Sequence, residues 1–413
     1  MNVKNGVLES SLVFVIFCAI LFYAFPSESA EFSLRPSVTL REEYDDNIFL
    51  TNDNKVDDFI TRAMPSLALK YKTPFWDWTV DYTLDWWHYA KEDISHTSHS
   101  LTLLSKVNAI ENLLYLDISD TYTSVVLEPR RPSTDVNLDI NRTDSNIMTV
   151  SPYIQYRLGP ATTATAGYRY TNIWYRREGI GRNIHTAFAD ITRVFSRQFK
   201  ASLGAEYVAD RPQGDEVSNN QKAVYAKASY IISEKTTLDG SLGYRKFDFS
   251  NDRDSDGVFY SANLVYRLSE TGQVGVGMDS TFTTTPLDGV IESRGEQITI
   301  RLGDVFSMDG SLFHRRDRYL EIDRTDTAFG ATLGAVYKYN PRTTFRASGR
   351  YERDRFMPED EVRNLYAVVA GVDYKVARNM TVGASYNYTQ SSASASVDSY
   401  SDNLVAVQLR IDL

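Results

Sequence analysis

Cysteine is almost missing. The single residue of that type in the 413-residue chain is Cys18. It lies inside an N-terminal apolar run, so the rest of the chain can build no disulfide, thiolate metal site or thiol nucleophile. Phe17 before it is too bulky for lipoprotein processing, which excludes a lipid anchor there. Histidine is scarce as well: the five are His88, His96, His99, His185 and His314, and a histidine general base would have to be one of them. Beyond residue 30 no stretch approaches the roughly eighteen consecutive apolar residues of a spanning helix. No phosphate-binding glycine loop and no nucleic-acid patch is present, so neither a cofactor nor a nucleic-acid partner is expected.

What the first thirty residues hold is a leader. Lys4 gives a positive start, Ser11 to Phe25 an apolar core, and Ser27-Glu28-Ser29-Ala30 small residues for cleavage after Ser29 or Ala30. We expect residues 1–30 to be a signal peptide and residues 31–413 a single domain. Nothing in the composition marks a linker, a plug or a second module.

That domain alternates apolar and polar residues over about twenty short segments. Trp78, Val80, Tyr82, Leu84 and Trp86 share one face of a strand, with Asp81, Thr83 and Asp85 on the other. Val405, Val407, Leu409, Ile411 and Leu413 alternate in the same way with Ala406, Gln408, Arg410 and Asp412. Such strands need apolar solvent on one side and water on the other. A closed barrel in an outer membrane meets both demands, because closure satisfies every backbone group and leaves no edge in lipid. The 27 Tyr, 20 Phe and 5 Trp suit its aromatic girdles. Trp78 and Trp86 are separated by roughly 20 Å along the membrane normal at the usual rise and tilt.

The links between strands alternate in length. Short ones such as Lys72 to Phe75, Ile110 to Asn112, Gly159 to Ala161 and Ala377 to Asn379 interleave with longer polar ones. The longer ones include Asp45 to Asp58, Ala90 to Thr97, Ser124 to Ser145, Thr285 to Arg294 and Phe356 to Val362. Short periplasmic turns and longer external loops have this pattern, which puts both termini in the periplasm. The pattern predicts an all-β, transmembrane antiparallel barrel of the outer-membrane type in a Gram-negative cell. Its strand count is 18 or 20, depending on whether Asp304 to Thr327, which has no clean apolar face, forms strand. A barrel of that size leaves an aqueous channel unless loops fill it.

Strand phase predicts the lumen. Inward bases outnumber inward acids although the whole chain carries a formal charge of −10, so the acid concentrates in the loops. The inward bases most clearly flanked by outward apolar neighbours are Arg157, Arg169, Arg245, Arg267, Arg346 and Arg350. Basic rings in a narrow channel favour anions; alternatively, lumenal charges of both signs pair across strands and only solvate the wall. In the external loops, Asp45, Asp46, Asp53, Asp57 and Asp58 and Glu359, Asp360 and Glu361 are acids that divalent cations can bridge to lipopolysaccharide. Asp252, Asp254 and Asp256 before Gly257 copy the first half of a calcium loop. Its twelfth position, however, is Asn263 rather than a bidentate Glu. His96 and His99 beside Asp93 and Ser98 allow a Ser/His/Asp arrangement to be imagined, but their spacing is not diagnostic, and no enzyme is expected.

Pro36-Ser37-Val38-Thr39-Leu40, Tyr44-Asp45-Asp46-Asn47-Ile48-Phe49 and Pro65-Ser66-Leu67-Ala68-Leu69 resemble the opening of the Putative beta-barrel porin 2 family. Pro152-Tyr153-Ile154 repeats the proline-led strand start. The resemblance implies an outer-membrane barrel, encoded in relatives beside exopolysaccharide biosynthesis genes. The role it implies is export of such a polymer, or support for it, with periplasmic export components as partners and no catalytic residues. The chain ends in Leu413 where barrels usually end in Phe, and the alternating face before it still suits recognition by the barrel-assembly machinery. The alternative reading is a structural or adhesive barrel with a plugged lumen and acidic surface loops.

Overall fold

The computed structural model describes residues 30–128, 131, 141–251, 254–394 and 398–413; the leader and Cys18 lie outside them. Twenty strands follow one another. The first five are β1 (Glu31–Asp45), β2 (Asp58–Lys72), β3 (Trp76–Tyr89), β4 (Ile94–Ile110) and β5 (Leu114–Val126). Then come β6 (Arg142–Gly159), β7 (Thr162–Tyr175), β8 (Arg182–Val194), β9 (Phe199–Pro212) and β10 (Asn219–Ser233). The next five are β11 (Thr236–Phe249), β12 (Ser255–Arg267), β13 (Gln273–Thr285), β14 (Gly289–Gly303) and β15 (Phe306–Tyr319). The last are β16 (Thr325–Lys338), β17 (Thr343–Met357), β18 (Glu361–Ala377), β19 (Met380–Ala393) and β20 (Tyr400–Asp412). Each pairs antiparallel with the next, and β1 pairs with β20 from Ser37↔Asp412 to Asp45↔Leu404, so the sheet is a closed barrel. No helix long and apolar enough to cross a membrane occurs among the described residues.

The alternation sets which face each residue takes. Trp78, Val80, Tyr82 and Trp86 face outward beside Tyr71, Leu69, Leu67 and Ala63 of β2, while Asp77, Asp81 and Asp85 face the lumen. The segment without a clean apolar face is strand β15, which settles the count at twenty. Its outward residues change from Met308 and Leu312 to His314, Arg316 and Arg318 on the way up.

That change explains a difference from the sequence reading. The external loops are shorter than expected, at 90–93, 286–288 and 358–360 in place of Ala90 to Thr97, Thr285 to Arg294 and Phe356 to Val362. Strands run from 13 to 18 residues, whereas about 9–11 cross the hydrocarbon. Toward the mouth outward residues turn polar, as in β15, and buried apolar residues such as Ile60, Tyr89 and Phe247 take the inward face, so the apolar-out, polar-in signal fades while the backbone ladder continues.

Four lumenal glycines lie directly opposite aromatic residues: Gly167 opposite Phe188, Gly204 opposite Tyr225, Gly243 opposite Phe259 and Gly330 opposite Phe313. In each case a Cβ on the glycine would collide with the facing ring. The glycine is therefore a seat for the ring, in keeping with the crowding relief that strand glycines give in curved sheets. Gly243→Ala is expected to destabilise the barrel by about 1–3 kcal/mol through overpacking. Gly349→Ala, where the nearest atom is the Ala367 carbonyl oxygen at 4.0 Å, should be nearly neutral. Urea midpoints of the two variants in detergent compare them directly, and equal midpoints would remove the seat argument.

Candidate functional site: the lumen and its mouth

The six arginines singled out by phase all face the lumen. Arg157 is opposite Thr163, Arg169 opposite Thr186, Arg267 opposite Gln273 and Arg245 opposite Gly257. Arg346 and Arg350 sit on one face of β17 opposite Gly371 and Ala367. Their surroundings divide them. Arg245 is paired with Glu206, Arg346 with Asp373 and Arg350 with Glu352. Arg157, Arg169 and Arg267 make no ion pair among the described residues, and Arg169 instead lies 5.3 Å from the Phe188 ring centre.

The division follows height in the barrel. Near the short-turn end, Arg35, Lys70, Arg157, Lys200, Arg267, Arg301, Lys338 and Lys375 face the lumen without an ion pair among the described residues, although Arg346 and Arg410 there have carboxylate partners. Near the long-loop end the bases are matched. Arg41 meets Glu43 at 2.5 Å, Arg62 meets Glu43 and Asp85, Arg182 meets Asp210 at 2.8 Å, Arg315 meets Asp317 at 3.0 Å and Arg363 meets Asp354 at 2.7 Å. Asp45 and Asp58, read from sequence as external-loop acids, are fully buried on the inward face. Asp210, Asp326, Asp354 and Asp402 join them there. The expected basic lumen is thus corrected: it is basic toward the short turns and ion-paired and acid-rich toward the mouth. The missed acids belong to the strand extensions that carry no apolar alternation.

On the wall between the two ends, a cavity of about 460 Å³ is lined by Asp77, Thr79, Leu104, Lys106, Asp117 and Arg169. A neighbouring one of about 350 Å³ is bounded by Arg169, Phe188, Tyr225, Lys227, Arg245 and Phe259. In the second, cations lie over rings: Lys227 Nζ is 4.5 Å from the Tyr225 centre and the Arg245 guanidinium 5.2 Å from that of Phe259. Flat rings alternating with cations suit a ligand that has apolar sugar faces and negative charge.

The mouth is covered by the chain's own loops. Ile48 of the 46–57 loop is buried among Ile60, Trp87, Tyr89, Leu404 and Ala406, so this acidic loop turns inward on an apolar foot. Across the barrel, Phe247 packs with Phe249, Val290 and Phe282. Two ties then cross the opening. The Ile180 amide donates to the Pro286 carbonyl at 2.7 Å. Arg324 reaches Asp326 at 2.7 Å, Asp288 at 3.2 Å and, from the nearly opposite wall, Glu128 at 3.4 Å, with its guanidinium 4.4 Å above the Tyr319 ring. Burial works against the Arg324 charge, but the Asp326 carboxylate outweighs it and holds the guanidinium above its ordinary pKa. Burial also pushes the neighbouring Glu321 carboxyl up, against the lowering effect of the Val290 amide that donates to it.

Other sequence candidates separate. His96 and His99 take opposite faces of β4: His96 lies 4.6 Å from Trp87, and His99 Nδ1 is 2.8 Å from the Tyr82 hydroxyl. No common site joins them. Asp252 lies outside the described residues; Asp254 is ion-paired with Lys246 at 3.4 Å, and Asp256 sits opposite that lysine on β12. The residues that sequence reasoning missed are Arg182, the first residue of β8, and Arg324, in the Asp304 to Thr327 stretch that has no clean apolar face. Their only signal is an arginine between turn residues, shared by many solvated loops.

No curated protein matches the sequence. Among solved structures, the open form of the ferric-catecholate import receptor Fiu from Escherichia coli K12 is similar to 92% of this chain over 82% of its own, at 9% identity and a TM-score of 0.51. A mutant of the ferric enterobactin receptor PfeA from Pseudomonas aeruginosa is similar over 92% and 80%, at 9% identity and a TM-score of 0.52. At such identity these likenesses establish the barrel fold alone. The family model of Putative beta-barrel porin 2 matches residues 340–413, at the opposite end from the opening words that suggested the family. The last four strands of this outer-membrane-type barrel thus carry the sequence pattern of Putative beta-barrel porin 2.

Proposed function

We propose that the chain is an outer-membrane conduit that draws anionic solutes, acidic exopolysaccharide among them, from the periplasm and releases them through a mouth gated by its own loops. The observation that carries this reading is the segregation of charge along the lumen. Most bases near the short turns, Arg346 and Arg410 excepted, make no ion pair among the described residues, whereas those near the mouth are matched. An unpaired cation lining a low-dielectric-walled pore raises the local anion concentration, while a paired one contributes little beyond its own neighbourhood. The ring-and-cation cavity midway gives an extended sugar acid both stacking and charge.

The test is the reversal potential of the membrane-purified protein in a planar bilayer under a salt gradient, followed by block with an acidic polysaccharide added on each side. Anion selectivity with block from the short-turn side supports the reading, and cation selectivity ends it. A second reading, a structural or adhesive barrel, is favoured by the ties across the mouth. It requires silence even when those ties are cut.

A further inference from the structure

The two ends of the chain meet at the mouth in a clasp. Asp46 Oδ1 accepts from the Asn403 amide and its Oδ2 from Asn403 Nδ2, both at 2.7 Å, while Asn47 Nδ2 donates to the Ser401 carbonyl at 2.9 Å. The clasp brings together Asp45 and Asp46 from the end of β1 and Asp402 of β20. One carboxylate oxygen from each lies within 4.8 Å of the others. Asp45 is fully buried and Asp402 is 5% exposed. Asp45 Oδ1 takes the Asn47 amide at 2.7 Å, but Asp45 Oδ2 and Asp402 Oδ1 are buried with no donor from any other residue, the two carboxyl groups facing each other. The nearest base is Lys55, whose Nζ is 3.8 Å from Asp46 Oδ2 and is engaged at 2.7 Å with the Ser401 hydroxyl. Asp58, buried nearby, is different: its oxygens accept the Phe59, Lys91 and Glu92 amides.

We infer that Asp45, Asp46 and Asp402 form a calcium site that pins the barrel seam and the 46–57 loop at the outer mouth. Buried carboxylates whose oxygens have no donor are costly unless a cation or proton joins them. Calcium takes hard oxygen ligands at about 2.3–2.6 Å in flexible geometry, so ligand oxygens up to about 5 Å apart share one ion. Backbone carbonyls of the loop or water complete its shell. The site faces the external medium, where modules binding at about 0.1–1 mM are filled. This triplet is separate from the Asp252, Asp254 and Asp256 run singled out in the sequence.

Terbium luminescence tests the site, because Trp87, Tyr89 and Tyr400 lie in the surrounding wall and can sensitise a bound lanthanide. In the membrane-purified protein, terbium alone should give sensitised emission that calcium displaces, and calcium should raise the unfolding midpoint relative to EGTA. Asp402→Asn should abolish both effects while the protein still migrates as a folded barrel; Asp46→Ser is the second variant if the first does not assemble. The inference is overturned if wild-type midpoints in calcium and EGTA coincide, since a shared proton then satisfies the pair. It is equally overturned if displaceable emission survives in both variants, which would place binding on the exposed acidic loops. Because the readouts are emission and midpoint, they stand whether or not the barrel conducts.

Discussion

Arg324→Ala is expected to turn a nearly silent barrel into a conducting one. Arg324 is the common partner of Asp326, Asp288 and Glu128, and it is 7% exposed. Removing one member of a buried ion pair costs about 3 kcal/mol or more, because the carboxylates are left without their counter-charge. Three acids around an emptied position repel one another, and the walls of the mouth that carry Glu128 and Asp288 separate. A change of about 3 kcal/mol moves the closed-to-open ratio by about a hundredfold. In planar bilayers the variant should show long openings where the parent shows rare ones. Arg324→Lys should lie between the two, since an ammonium keeps the charge but cannot fork to several carboxylates at once. If Arg324→Ala and the parent are equally silent, the loops are a permanent plug and the structural reading stands.

The second large effect concerns selectivity. Replacing Arg157, Lys200, Arg267 and Lys338 together by Glu should invert the preference from anion to cation. A unit charge about 8 Å from a permeating ion contributes about 0.5 kcal/mol in water, and screening over a Debye length of about 8 Å reduces this roughly threefold. Four charges, each shifted by two units, change the energy of a passing anion by about 1.4 kcal/mol, about tenfold in its partition, and that of a cation by as much in the opposite sense. The same substitutions at Arg41, Arg62, Arg182 and Arg363 should harm assembly rather than selectivity, because those side chains neutralise Glu43, Asp85, Asp210 and Asp354. Reversal potentials separate the outcomes. Unchanged selectivity in the short-turn variant would show that the passing ions do not sense that end of the lumen.

Much of this was legible in the alternation. The period of two reads Arg157, Arg169, Arg245, Arg267, Arg346 and Arg350 as inward because the residues beside them, such as Tyr156, Leu158, Tyr168, Tyr244, Tyr266 and Phe345, suit lipid. It also identified Trp78 and Trp86 as outward residues near the two ends of β3. It failed where lipid stops selecting. Residues such as Asp45, Asp58 and Asp402 sit on strand continuations where acids and apolar residues such as Ile60, Tyr89 and Leu404 share the inward face, so the rule of apolar outside and polar inside no longer separates them from loop. Arg324 was invisible for a further reason: its partner Asp288 belongs to the neighbouring hairpin and Glu128 lies 196 residues away, brought near only by closure of the ring.

The rings seated on glycines decide something that hydrophobic alternation leaves open. Sliding one strand past its neighbour by a single residue exchanges lipid and water faces and is forbidden, but a slide by two preserves every face. For Tyr225 such a slide would exchange Gly204 for Ser202 or Glu206, and the ring would meet a side chain where it needs a bare backbone. Phe188, Phe259 and Phe313 impose the same restriction on β7, β11 and β16. All four locks fall within hairpins joined at the mouth, between strands adjacent in sequence. Each hairpin can therefore fix its own alignment locally, before the ends of the chain have met.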